Sequence, residues 1–440
     1  MIAQGAIHIP QDKVRVLQRK LYRAAKDNPR RKFGVLYDKV YRPDVLMRAW
    51  QQVRANKGAA GLDKQTIEDV EGYGTQRMLS EIREALQRKA YRPAPVRRVY
   101  IPKPDGRQRP LGIPTVKDRV VQTAVKIVIE PVFEARFASF SYGFRPKRSA
   151  LHAIEEIHKF LNFGCRWVVD ADLKSYFDTI PHDKLIKLVQ LRITDKAVIK
   201  LLVLWLEAGV MEDGTIARTS LGTPQGGVIS PLLANIYLNA LDQLWVKQNL
   251  AGWNHNAHLV RYADDFVILC RKDPEKYLSI AKERLDRLGL TLNSEKTRII
   301  HATEGFEFLG HKFKVARSPA TGKTKCFFFP SSKAIASVKR AVKLIIQPRQ
   351  HCSMPAIVAE LNPVLRGWGN YFRTSYARDA FIKVDEYVVV KLCLMLRKKY
   401  KKRHKGWRDH PPSCFYNLHK LYCLRQGLTA HRRKGSRYVA

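Results

Sequence analysis

The sequence predicts an α+β fold in which helices and short strands are intermixed, spread over about three structural units in 440 residues. Three observations carry this. Apolar residues recur at helical spacing in several long stretches. Short β-prone runs sit between them, bounded by Pro and Gly. Hydrophobic residues make up 45% and aromatics 10%, enough to build sizeable cores and to exclude wholesale disorder.

The elements follow in order. Residues 45–53 and 78–89 have helical spacing, with the glycine-punctuated loop Asn56-Lys57-Gly58-Ala59-Ala60-Gly61-Leu62-Asp63 between them. Residues 93–114 alternate prolines with Val96, Val99 and Ile101, which predicts short strands joined by tight turns. Helices are expected over 120–137, 150–162, 185–206, 230–245 and 277–288. Strands are expected over 167–173 and 306–314, with two more around an acidic pair within 259–270. After Pro330 the chain turns helical and strongly basic, so boundaries are placed near 330 and near 400.

Eighty Lys and Arg against 39 Asp and Glu leave a formal net charge of +41. A globular chain this basic calls for a polyanionic partner, nucleic acid first and a membrane surface second. No apolar run approaches the ~18 residues of a spanning helix, and residues 1–12 have no secretory signal pattern. Seven cysteines, an odd number without a CxxC pair, point to a reducing, cytoplasmic compartment. His410 and Cys414 are four apart, as are His419 and Cys423. The spacing does not match known zinc sites, so no zinc is expected there.

Chemistry is carried by two acidic elements. Asp264 and Asp265 sit between the apolar runs 258–263 and 266–270, as at the turn of a buried hairpin. Ionised carboxylates there require a cation, and hard oxygen ligands suit magnesium. The apolar strand 167–169 likewise runs into Asp170 and Asp172. One of these could join the hairpin pair, and three carboxylates can hold two metal ions for phosphoryl transfer. As a plain alternative, Asp-Asp is an ordinary turn pair.

Tyr262-Ala263-Asp264-Asp265 resembles the palm signature of reverse transcriptases, and its surroundings are similar to the group II intron-encoded reverse transcriptases, or maturases. The resemblance runs in order over nearly the whole chain. It takes in the 56–63 loop, Ile101-Pro102-Lys103-Pro104, Arg109-Pro110-Leu111-Gly112-Ile113-Pro114 and Tyr142-Gly143-Phe144-Arg145-Pro146. It continues through Asp172 to Asp178, Gly222-Thr223-Pro224-Gln225-Gly226-Gly227, Leu292-Asn293-Ser294-Glu295-Lys296-Thr297 and Phe308-Leu309-Gly310. Leu361-Asn362-Pro363-Val364-Leu365-Arg366-Gly367-Trp368-Gly369-Asn370-Tyr371-Phe372 is similar to the maturase-specific thumb.

The resemblance implies a right-hand polymerase with fingers and palm over 1–330 (an N-terminal extension to about 90), a helical thumb over 331–400 and a basic, DNA-binding-like tail over 401–440. It implies RNA-directed DNA synthesis with two Mg2+ ions and deoxynucleoside triphosphates. Asp172, Asp264 and Asp265 would be the catalytic metal ligands, with the Leu173 carbonyl and with Asp170 as the competitor to Asp172. Lys103, Arg109, Gln225 and Lys296 would contact the nucleotide, and Phe177 would be a steric gate against ribonucleotides. Phe308, Leu309 and Gly310 would form the primer grip. Arg366, Arg373 and Arg378 would contact RNA, while Leu361, Leu365, Trp368 and Phe372 are core. Each also has a bland reading: a core aromatic for Phe177, solvated cations for the basic residues, a glycine turn around Gln225.

The implied partners are the parent group II intron RNA, an RNA template and a DNA primer or target, with roles in splicing and intron mobility. No membrane partner is expected. The chain lacks the His-Asn-His-type endonuclease of many relatives, so no DNA cleavage is expected. Two other readings stand beside this one: a domesticated reverse transcriptase in defence or repair, and a pure RNA-binding splicing cofactor.

Overall fold

The computed structural model describes residues 12–102, 106, 108–212, 215–217, 221–222, 226–247, 250, 257–319, 321–347, 351–400 and 411–426. Helices and strands are mixed as expected. The chain divides into two units. The first holds residues 1–149, 169–268 and 273–298, and the second 150–168, 269–272 and 299–440.

The first unit opens with α1 (Lys13–Asp27), α2 (Tyr37–Val40), α3 (Pro43–Ala55), α4 (Ile67–Tyr73) and α5 (Thr75–Gln87). Local rules set their ends. Asp12 caps α1, Pro43 opens α3, and Thr66 with Asp69 forms a capping box on α4. Val14, Leu17, Leu21 and Ala25 make the buried stripe of α1. The Pro-rich stretch forms the hairpin β1 (Val96–Pro102) and β2 (Gln108–Ile113), paired antiparallel from Arg97 opposite Ile113 to Pro102 opposite Gln108. α6 (Val116–Glu134) is buried along most of its length and packs against α1 and α3.

α7 (Ala150–Asn162) and β3 (Trp167–Ala171) follow, then α8 (Tyr176–Thr179), α9 (His182–Gln190) and α10 (Lys196–Glu207). The single helix expected over 185–206 is therefore two. Asp195 breaks it: its carboxylate accepts from the Ala197 and Val198 amides as the cap of α10 and from the Leu36 and Tyr37 amides. The apolar run through Leu191 and Ile193 conceals that break. β4 (Val210–Glu212) and β5 (Thr215–Ala217) complete a sheet of order β2-β1-β4-β5.

α11 (Ser230–Lys247) leads to β6 (Ala257–Tyr262) and β7 (Asp265–Cys270), the expected hairpin, in a sheet of order β6-β7-β3-β8. α12 (Pro274–Leu288) starts on Pro274 and ends on Gly289 at φ +75°, before β8 (Arg298–His301).

The second unit contains α7 and the strands β9 (Phe306–Phe308), β10 (His311–Arg317) and β11 (Thr324–Pro330), ordered β11-β10-β9. The one strand expected over 306–314 is thus two, because Leu309 and Gly310 both take positive φ and reverse the chain. α13 (Ser332–Ile346), α14 (Met354–Phe372) and α15 (Arg378–Tyr400) share a core of Val342, Ile357, Leu361, Leu365, Phe372 and Val384, with Trp368 packed against it. Residues 411–426 fold back on this core. Asn362 exchanges hydrogen bonds with the Lys420 carbonyl and the Tyr422 amide, and buried Asp385 accepts from the Leu424 and Arg425 amides. Among the described residues no helix is long and apolar enough to cross a membrane, and all seven cysteines are free.

Candidate active site

The hairpin turn is tied down from several sides. β6 and β7 are buried along nearly their whole length. Ala263 takes φ +57° at the first turn position, a strained choice for a non-glycine residue. The fully buried Arg261 guanidinium donates to the Ala263 carbonyl (2.8 Å), to Asn235 Oδ1 (3.1 Å) and to both Asp242 oxygens (2.9 and 2.5 Å). Asn235 and Asp242 lie on α11, so that helix and the turn are one hydrogen-bonded piece. From the other side Tyr142 and Gly143 close on the hairpin. The Tyr142 amide donates to the Arg261 carbonyl, and Asn235 Nδ2 donates to the Gly143 carbonyl. A Cβ on Gly143 would lie 2.3 Å from the Ala263 nitrogen, so only glycine fits there.

Asp172 follows the end of β3. Its carbonyl accepts from the Asn293 amide (2.8 Å), while the Lys174 amide donates to the Thr291 carbonyl. This bridge leaves the Leu173 carbonyl on the opposite side of the strand. The same segment delivers two side chains to the Asp172 carboxylate, Lys296 Nζ at 3.0 Å and Asn293 Nδ2 at 3.2 Å.

The carboxylates feel one another. Burial, then the charges of Asp264, Asp172 and Asp170, push Asp265 up to about 7 against a weaker pull from Lys296. Burial raises Asp264 as well, opposed by Arg109 and Arg261. Asp170, two residues before Asp172 on the same strand face, is pushed to about 6 by burial with Arg298 opposing. This donor set is all oxygen, under-neutralised and partly desolvated, which fits a hard divalent cation. Among the described residues, however, no three His, Cys, Asp or Glu side chains stand close enough to grip an ion as they are. Asp172 is turned to Lys296 instead.

The other expected residues are placed as follows. Arg109 is exposed on β2, opposite Ile101, and its charge reaches Asp264. Phe177 is buried on α8 with its ring edge-on to Tyr176, whose hydroxyl donates to the Ala234 carbonyl. Lys103, Gln225 and His410 lie outside the described residues. Phe308, Leu309 and Gly310 form the β9–β10 turn, where the Leu309 carbonyl accepts from Tyr371 Oη at 2.8 Å. Arg366 lies over the Tyr422 ring, and Arg373 donates to the Tyr422 hydroxyl. Arg378 is exposed at the start of α15. Cys423 Sγ donates to Asp385 Oδ2 at 3.5 Å.

Sequence reasoning missed Asp242, Asn235 and the roles of Arg261 and Asn293. An acid on a helix reads as a surface charge, and nothing in 230–247 signals that Asp242 is fully buried. Asn293 had a signal, since it lies in the motif that also supplies Lys296.

Comparison with known proteins gives two domain matches. Residues 101–313 match the reverse transcriptase (RNA-dependent DNA polymerase) family, and residues 335–411 match the group II intron maturase-specific domain. Protein YkfC of Escherichia coli is 37% identical over 345 residues, covering 69% of this chain and 88% of its own length. The group II intron-encoded protein LtrA of Lactococcus lactis is 34% identical over 358 residues, covering 67% of this chain and 59% of LtrA. An uncharacterized 91 kDa protein in the cob intron of Schizosaccharomyces pombe is 28% identical over 426 residues, with 80% and 52% covered. The chain therefore spans little more than half of the last two relatives.

Proposed function

Because the chain belongs to the group II intron-encoded reverse transcriptases, or maturases, we propose that it copies RNA into DNA and also binds its parent intron RNA, promoting splicing and mobility. The carrying observation is the buried, hydrogen-bonded hairpin that presents Asp264 and Asp265, both raised by burial and under the charge of Asp172, an acidic pair that a divalent cation would neutralise.

In this reading Asp172, Asp264, Asp265 and the Leu173 carbonyl hold two Mg2+ ions. Bound there, the ions supply Lewis-acid activation of the primer 3′-hydroxyl and offset charge on the departing pyrophosphate. The chain's own residues do the positioning. Lys103 and Arg109 meet the triphosphate, a point charge and a planar fork both suited to phosphate oxygens. Lys296 holds Asp172 until the site is loaded and is then within reach of phosphate as a proton-bearing cation. Phe177 stands where a ribose 2′-hydroxyl would clash. Gln225 with its flanking glycines supports the template–nucleotide pair, and Phe308, Leu309 and Gly310 support the primer end. Fingers and palm occupy 1–330, the thumb 331–400 and a basic tail 401–440. Arg366, Arg373 and Arg378 belong to the RNA-facing part of the thumb, and free thiols suit a reducing cytoplasm.

The test is extension of a labelled DNA primer annealed to an RNA template, with four deoxynucleoside triphosphates. Full-length DNA with Mg2+ and none after chelation supports the reading. No extension with any divalent ion removes the polymerase half of it. RNA that co-purifies from the native host addresses the other half, where one dominant intron RNA is expected.

A further inference from the structure

Among the described residues, one face of the three-stranded sheet in the second unit carries exposed side chains with no element packed over them. Along β10, His311, Phe313 and Val315 are buried while Lys312 and Lys314 point out. Along β11, Cys326 and Phe328 are buried, Lys325 and Phe329 are exposed, and Phe327 is half-buried. The register sets Lys312 opposite Phe329 and Lys314 opposite Phe327, as direct cross-strand neighbours on the outward face.

Tyr376 joins them. Its amide donates to the Phe328 carbonyl, and its ring lies 5.1 Å from Phe327 and 6.0 Å from Phe329. Phe327 and Phe329 are nearly coplanar in orientation, at 11° and 6.5 Å. Phe329 is 36% exposed and Tyr376 52%.

A solvated sheet face ordinarily carries polar side chains, and clustered exposed rings mark a binding surface. The rim says what kind. Lys312, Lys314 and Lys325 have no ion-pair partner among the described residues, and the one carboxylate on the face, Glu307 opposite Lys312, is paired with Lys333 at 3.6 Å. Flat rings for bases among unpaired ammonium groups for phosphates suit an unpaired strand, since a duplex hides its base faces. Beside Tyr376 an open depression of about 450 Å³ is lined by His158, Asn162 and Thr324 together with Lys323 and Lys325. Asn162 there is already bonded to His158 and to the Cys326 amide, so the choice of RNA over DNA rests on the proposed function and is what the DNA competitor tests.

We propose that the outward face of β10 and β11, with Tyr376, is a stacking platform for a single-stranded segment of RNA. The inference rests on the RNA-binding half of the proposed function and is independent of the carboxylate site.

The experiment uses the full chain and a fluorescent, unstructured twelve-nucleotide RNA, with the same sequence in DNA as competitor. Ultraviolet cross-linking and peptide mapping should find adducts at Phe327, Phe329 or Tyr376. Two variants are measured, F329A/Y376A, which removes rings, and K312E/K314E, which leaves the rings in place. Each should weaken RNA binding roughly tenfold or more, with the extension rate on a saturating, pre-annealed primer–template unchanged. Absence of adducts on the face, or unaltered affinity in both variants, overturns the proposal. Equal competition by DNA overturns its assignment to RNA. If the unaltered protein does not bind this strand, or binds it and both variants match it, the platform fails; the RNA-binding half of the function fails separately, if no intron RNA co-purifies.

Discussion

The Arg261 guanidinium and the Asp242 carboxylate are both fully buried, and their pairing holds the turn that carries Asp264 and Asp265. Arg261→Met would leave Asp242 charged and unpaired in the core, a loss of about 3–5 kcal/mol. Arg261→Met with Asp242→Leu should regain most of that, because both charges then leave the interior; urea unfolding of the two variants reads the difference. Equal destabilisation of both would show that the ion pair is not what matters. Phe177 makes a second prediction. Phe177→Ala should raise ribonucleotide incorporation relative to deoxyribonucleotide by roughly tenfold to a hundredfold, measured by competing the two sugars at one template position. Unchanged selectivity would mean the ring is simply core, as its burial also allows. At this scale the candidate carboxylates were legible and the residues that hold their turn were not. Two acids amid apolar strands are chemically conspicuous, whereas Asp242 looks like any acid on a helix until the fold buries it.

The β9–β10 turn shows how one element is held by another. The Leu309 carbonyl accepts from Tyr371 Oη on α14 and from His311 Nδ1, at 2.8 and 3.2 Å. That second bond makes Nδ1 the protonated nitrogen, and among the described residues Nε2 has no partner in its nest of Phe313, Phe328, Tyr371 and Phe372. If this turn grips the primer, Tyr371→Phe should weaken primer affinity several-fold while leaving the KM for nucleotide alone. A primer affinity that does not move would argue that α14 has no part in the grip. Burial also holds His311 at about 4, below its ordinary 6.5. Between those values the unfolded chain takes up a proton that the folded chain does not. Stability should therefore fall as pH drops from 6.5 towards 4, by up to roughly 3 kcal/mol from this group. His311→Phe should flatten that part of a pH–stability profile, and an identical slope would place the titration elsewhere. Strand periodicity disclosed β9 and β10 as one run. The tight turn at Phe308-Leu309-Gly310 came only with the family resemblance, because apolar spacing runs through Leu309, whose residue type does not advertise the positive φ it adopts.

For the whole molecule, +41 over 440 residues is the dominant physical fact, and it was readable from composition alone. Affinity for structured RNA should fall by roughly a thousandfold or more between 50 and 200 mM salt if many phosphates are contacted. A shallow dependence would leave most of the charge without a partner. What composition could not disclose is where the features fall: the carboxylates and the residues bonded around them lie in the first unit, and the aromatic and lysine face lies in the second. Long-range pairing creates both, and spacing along the chain does not encode it. The most direct test of the central claim is single-nucleotide incorporation by the unaltered protein and by Asp264→Ala on saturating RNA template with DNA primer, with RNA affinity measured in parallel. The account predicts a rate lower by roughly three orders of magnitude with RNA affinity essentially unchanged. Incorporation near the unaltered rate would contradict it and move the chemistry away from this hairpin.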